Sequence, residues 1–192
     1  MEKKTDLRII KTYASLTQAF YELLSQKKFE DITVNELCSH ALIRRATFYK
    51  HFTDKNDFFT FIVRSSFQQY TPTYDYNSEQ AHPITFYIQI TKNILQFLSE
   101  REEMVHSFST SSMHATLINI LNEEISKEIC LYLKEDQKKG AVFSASAEIT
   151  AQFFTGAIIN CIKYWFFGEH QLTEEELLEQ LSALLRSFQS LV

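Results

Sequence analysis

Three glycines and two prolines are all the backbone punctuation in 192 residues. Folds of many short strands need frequent tight turns, which draw on Gly, Pro and Asn-Gly pairs. A chain this poor in them has few places to reverse, and its apolar residues recur at three-to-four spacing rather than in alternation. An all-α fold of about nine helices follows. Stripes place them at about 7–26, 33–41 and 45–52, then from Thr53 or Asp54 through Phe58, Phe59, Ile62 and Phe67. Five more lie near 84–99, 101–107, 112–135, 145–168 and 174–191. Both prolines fall in 70–83, YTPTYDYNSEQAHP, which carries no stripe and reads as a linker loop. Thr173 with Glu176 forms a capping box for the last helix.

Residues 33–55, TVNELCSHALIRRATFYKHFTDK, read as two short helices folded over a tight turn. Thr33 caps the first and Glu36 reaches back to it, with Val34, Leu37, Cys38 and Ala41 inward. On the second, Phe48 and Phe52 share one side. The opposite side then centres on Ala46 and Lys50, flanked by Arg45 and Tyr49 on one edge and Thr47 and His51 on the other. Arginine pairs bidentately with a guanine edge, and Thr, Tyr, His and Lys donate to phosphate oxygens. A small Ala46 lets a backbone approach closely. An outward face of this kind suits a groove lined with phosphate. Lys55 sits in the first turn of the following helix, where free amides and the helix dipole favour an anion.

FEDITVNEL followed by RRATFYKHFTDKNDF resembles, in order and spacing, the helix-turn-helix of the TetR (tetracycline-repressor) family of transcriptional regulators, over about residues 7 to 63. The resemblance implies a three-helix DNA-binding domain at 1–54 and a larger helical ligand-binding and dimerisation domain at 55–192. It implies phosphate contacts from Thr47, Tyr49, His51 and Lys55, base contacts from Arg44, Arg45, Ala46 and Lys50, and a further contact from Asn35. Two residues depart from the family pattern. Leu42 stands where the turn glycine is usual, and Arg44 where a Ser-like cap is usual. The segment AQFFTGAIINCIKYWFFG also resembles a branch that includes activators of dihydroxyacetone-kinase operons.

A net charge of −5 looks unsuited to DNA, but residues 1–64 hold eleven Lys/Arg against eight Asp/Glu (net +3), while the remainder holds eight against sixteen (net −8). The cations therefore sit with the motif. Cys38, Cys130 and Cys161 are odd in number and widely spaced, with no CxxC pair or secretory leader, so reduced thiols and a cytoplasmic location are expected. No run approaches the ~18 apolar residues of a membrane span. The sequence offers no phosphate-cradling glycine loop, metal-ligand spacing or catalytic carboxylate pair, so no cofactor, no metal and no enzymatic activity are expected.

The helix at 145–168 is apolar around most of its circumference, and the last helix carries Leu177, Leu178, Leu181, Leu184, Leu185 and Phe188. This apolar surface either fills the subunit's own core or meets a partner; two such helices from each of two subunits make a four-helix dimer interface. Tyr87, Phe97, Met104, Phe108, Met113, Phe154 and Trp165, with Asn160 and His106 as polar anchors, are the candidates for a mostly apolar effector cavity. The reading is a homodimeric regulator, a ligand-responsive repressor on an inverted-repeat operator of double-stranded DNA, with an unknown small-molecule effector. The alternatives are a family activator, or a helical ligand- or protein-binding adaptor that keeps the head without binding an operator.

Overall fold

The computed structural model describes residues 7–69, 83–102, 105, 108, 111, 113–168 and 172–189. Among them it contains eight α-helices and no strand: α1 (Leu7–Leu24), α2 (Val34–His40), α3 (Arg45–Phe48), α4 (Lys55–Gln68), α5 (Pro83–Ser99), α6 (Met113–Lys138), α7 (Ala147–Phe167) and α8 (Glu174–Gln189). A short 3-10 turn, Phe29–Asp31, joins α1 to α2. The ninth expected helix, 101–107, and the linker loop fall largely outside the described residues, as do Met104 and His106.

The chain divides into two compact units, Met1–Ser65 with Arg101–Leu117, and Ser66–Glu100 with Ile118–Val192. The first extends past residue 54 because α4 completes its core. Leu16, Ala19, Phe20 and Leu23 of α1, Leu37 and Cys38 of α2, Phe48 and Phe52, and Phe58, Phe59, Ile62 and Val63 of α4 are all buried. Phe20 meets Phe58 edge-on at 5.8 Å, and Phe58 lies 5.8 Å from Phe48 and 4.9 Å from Phe52. Aromatic packing of this density in a three-helix head fixes the direction in which α3 leaves the core.

In the second unit Phe86 of α5 stacks on Tyr132 of α6 at 4.1 Å, and Tyr87 stacks on Phe154 of α7 at 4.5 Å. Leu177, Leu181 and Leu185 of α8 are buried and α8 packs along α5. Ser146 caps α7, and Thr173 caps α8 in a reciprocal box with Glu176. No helix among the described residues is long and apolar enough to cross a membrane.

Candidate nucleic-acid interface

The first motif helix is held at its start by two orthogonal devices. Thr33 Oγ1 accepts from the Glu36 amide at 3.2 Å while the Glu36 carboxylate accepts from the Thr33 amide at 2.9 Å. Lys27 ion-pairs with the same carboxylate. The Lys27 ammonium, then the Thr33 hydroxyl and amide, hold the Glu36 carboxyl at about 2, well below the ordinary carboxylate range. A depressed acid contributes stability that is complete above its unfolded pKa and is lost as pH falls toward the folded value, so this support fails only below about pH 4.

Helix α2 ends in a full Schellman turn. The Ile43 amide donates to Cys38 O at 2.9 Å and the Leu42 amide to Ser39 O at 3.2 Å. Leu42 occupies the left-handed position at φ 55° and is 93% exposed. The missing glycine has therefore not remodelled the turn; leucine adopts the glycine conformation at a steric cost. An L-residue there costs roughly 1–2 kcal/mol, and glycine's extra unfolded freedom returns about 0.4–1 of it. Leu42→Gly is expected to raise stability by about 0.5–1 kcal/mol, read as a higher denaturant midpoint at unchanged slope. A lower midpoint would mean that the exposed leucine makes a contact the geometry does not contain.

The second motif helix is shorter than its stripe suggests. Regular α-geometry covers only Arg45–Phe48, and the chain closes through a turn in which the His51 and Phe52 amides both donate to Phe48 O, at 2.9 and 3.0 Å. Arg44 is the N-cap residue and makes no side-chain cap bond. Without that cap, and with Thr47, Phe48 and Tyr49 of modest helix propensity, the coil holds because Phe48 and Phe52 are anchored in the core.

This brings most of the expected residues to one surface. Asn35, Arg44, Arg45, Ala46, Tyr49 and Lys50 are exposed, while Thr47 and His51 are half-buried beside them. The Arg45 guanidinium lies 5.8 Å from the Tyr49 ring centroid, a cation-π contact that restrains its swing before any ligand arrives. Lys55 has a different occupation from the one expected. Its ammonium donates to the carbonyls of Phe29, Glu30 and Ile32 at 2.9, 2.8 and 2.9 Å and sits 4.7 Å from the Phe29 ring. Its three N–H donors are used up within the protein. The amides that open α4 are occupied as well, because Asp54 Oδ1 accepts from Asn56 and Asp57 at 2.7 and 2.9 Å. Neither attraction expected at residue 55 is available to an incoming anion.

The sequence of residues 16–60 matches the model of bacterial regulatory proteins of the tetR family, and residues 87–187, more than half of the chain, match that of a transcriptional regulator C-terminal region. The chain belongs to the TetR family of transcriptional regulators. It is 33% identical over 66 residues to the uncharacterized HTH-type transcriptional regulator YxbF of Bacillus subtilis (strain 168), an alignment covering 34% of this regulator and 17% of that protein. The solved structure of Lin0861 from Listeria innocua superposes with a TM-score of 0.66 at 21% identity, covering 98% and 96% of the two chains. The flavonoid-responsive regulator FrrA gives 0.61 at 17%, covering 93% and 94%, and the dihydroxyacetone kinase operon activator DhaS gives 0.59 at 14%, covering 92% and 93%. At these identities the three structures share the regulator's fold.

The residues expected around an effector are divided between the two units. Phe108 is wholly buried against Phe29 and Phe59 in the first unit, at 5.9 and 4.8 Å, and Met113 is buried in the same unit. Tyr87, Phe97, Phe154, Asn160 and Trp165 belong to the second. Phe97 is buried edge-on to Phe67. Asn160 is exposed and donates to Gly156 O of its own helix; the Trp165 indole donates to Leu172 O at 2.7 Å and ties the end of α7 to the start of α8. Burial, then the Asp136 carboxylate, push the Tyr87 phenol well above its ordinary range, so it is a neutral group there. The stripe reading passed over Thr155, which is 1% exposed and whose hydroxyl has no hydrogen-bond partner among the described residues. Its signal was a hydroxyl in the otherwise apolar series Ala151, Ile158, Ile159 and Ile162. An open groove of about 890 Å³ lies elsewhere, between α5 and α8, with Lys92, Glu179 and Arg186 among its polar walls.

Proposed function

We propose that this regulator is a homodimeric, ligand-responsive repressor that reads an inverted-repeat operator with the surface centred on Ala46. The observation that carries the reading is the joint exposure of Arg44, Arg45, Tyr49 and Lys50 around a small residue, on a coil anchored from beneath by Phe48 and Phe52. Arg44, Arg45, Ala46 and Lys50 face bases, Thr47, Tyr49 and His51 face phosphates, and Asn35 makes a further contact; Lys55 is a structural clamp. It works in the cytoplasm, without catalytic activity.

Dimerisation is supported by α7. Ile149, Phe153 and Tyr164, at 64, 56 and 66% exposure, share one side with Gly156, Ala157 and Asn160, so bulky groups flank a low centre where a second helix fits. Most of the apolar face of α8 is used within its own unit, which leaves Leu184 as its exposed leucine. Two-fold pairing sets the recognition surfaces about one DNA turn apart, roughly 34–36 Å, or a multiple of it. An apolar, aromatic effector is supported by the Tyr87–Phe154 stack and, separately, by Thr155, whose unsatisfied buried hydroxyl costs about 1–3 kcal/mol until something bonds to it. FrrA, which shares the fold, is flavonoid-responsive. Helices α4 and α6 each contribute residues to both units, and an effector that favours one state of the regulator would shift its DNA affinity.

The test is binding to DNA from the regulator's own upstream region against scrambled DNA at fixed salt. Sequence-selective binding is expected, with Arg45→Ala relaxing preference at particular bases by about 1–3 kcal/mol and Tyr49→Ala weakening all sequences alike. Equal weak affinity for both DNAs, or an unchanged ranking of base variants in Arg45→Ala, would refute it.

A further inference from the structure

Tyr13 lies on α1, away from the surface just described, yet its hydroxyl oxygen is 3.3 Å from His51 Nδ1, and the two rings meet edge-to-face at 5.2 Å and 84°. The phenol ring is itself fixed on two other sides. Phe61 of α4 is 4.7 Å away and Phe52 5.5 Å away, centroid to centroid. The hydroxyl is therefore delivered to Nδ1 by a side chain with little freedom to move. Meanwhile Nε2 of His51 makes no hydrogen bond among the described residues, and the residue is half-buried rather than enclosed.

We infer that Tyr13 is a positioning residue for DNA binding: its hydroxyl donates to Nδ1, holds the His51 ring in one orientation, and leaves the imidazole proton on Nε2, where it can be donated to a phosphate. A neutral imidazole has one donor and one acceptor nitrogen, and the partner of one decides the role of the other. A phenol is the stronger donor of this pair and a bare ring nitrogen the stronger acceptor, so the bond runs from Oη to Nδ1. A ring flip would set Cδ2 where Nδ1 stands and forfeit the bond from Tyr13, so the hydroxyl selects the orientation in which Nε2 is the donor. Tyr13 thus serves the interface without touching it. This rests on the reading of His51 as a phosphate contact.

The experiment is a double-mutant cycle on operator affinity at fixed salt, joined to imidazole 15N NMR of the full chain at a pH where the ring is neutral. Tyr13→Phe keeps the ring and removes only the hydroxyl. It is expected to weaken operator binding about fivefold, the net worth of one ordinary hydrogen bond, and to leave affinity unchanged once His51→Ala is already in place. The wild-type spectrum should show a single Nε2–H tautomer with a hydrogen-bonded Nδ1, and Tyr13→Phe should move the Nδ1 signal. His51→Gln provides the rescue, because its amide oxygen can accept from Tyr13 while its amide nitrogen donates outward. It should keep most of the affinity and remain sensitive to Tyr13→Phe. Equal losses from Tyr13→Phe in the wild-type and His51→Ala backgrounds, or a proton found on Nδ1, would overturn the inference. If His51→Ala leaves affinity and salt dependence untouched while the NMR signature stands, the phosphate contact itself is wrong and the role of Tyr13 falls with it.

Discussion

Phe58→Ala should destabilise the N-terminal unit by about 3–5 kcal/mol, the usual cost of deleting a fully buried aromatic ring from a core that cannot collapse around the void. Phe58 is inaccessible to solvent, and its ring meets Phe20, Phe48, Phe52 and Phe61 at centroid distances between 4.9 and 6.4 Å. It is the shared wall of α1, of the coil that presents Arg45 and Tyr49, and of α4. Folded domains have about 5–15 kcal/mol in hand, so this one ring is a large fraction of the total. DNA binding should fall with stability, and lowering the temperature or adding operator should recover part of it. Chemical denaturation of the full chain, followed by a probe in the head, measures the loss. A cost below about 1.5 kcal/mol would mean that the aromatic cluster repacks, and the head would then owe its geometry to something other than this core.

The parts of the fold that sequence made visible were those governed by local rules. Thr33 and Glu36 form the expected capping box because a reciprocal side-chain bond depends only on residues three apart, and Thr173 with Glu176 repeats it. Leu16, Phe20 and Leu23 are buried because a helical stripe must find a core. What stayed hidden depended on partners distant in sequence. Phe108 belongs to the core around Phe29, 79 positions earlier, and no periodicity tells a pocket aromatic from a core aromatic. The leucines of α8 looked free to meet a second subunit because a stripe does not say which neighbour covers it; Leu177, Leu181 and Leu185 are covered within the unit. The recognition coil looked like an eight-residue helix because its polar face kept the period, although only Arg45–Phe48 holds regular geometry. Leu42 shows the converse. The sequence sets leucine where the turn glycine is usual, and the Schellman bonds show that backbone hydrogen bonding prevailed over side-chain preference.

Lys55 offers the clearest separation of a structural role from a binding one. Lys55→Met, which keeps the stem and removes the charge, should cost about 2 kcal/mol, because the carbonyls of Phe29, Glu30 and Ile32 lose a charged donor and two of those bonds are partly buried. Phe29 O still accepts from the Ile32 amide, which keeps the loss below three full bonds. Lys55→Arg should rescue only part of it, since a planar guanidinium does not converge on three oxygens from one point as an ammonium does. Any weakening of DNA binding should follow stability alone. A phosphate contact carries its own signature: removing it lowers the dependence of log affinity on log salt by about one. Measured under conditions where Lys55→Met is fully folded, that slope should match wild type, while Lys50→Met, whose side chain is exposed on the candidate interface, provides the comparison. A slope reduced by about one in Lys55→Met at undiminished stability would return the lysine to the DNA and show that its three carbonyl bonds are given up on binding.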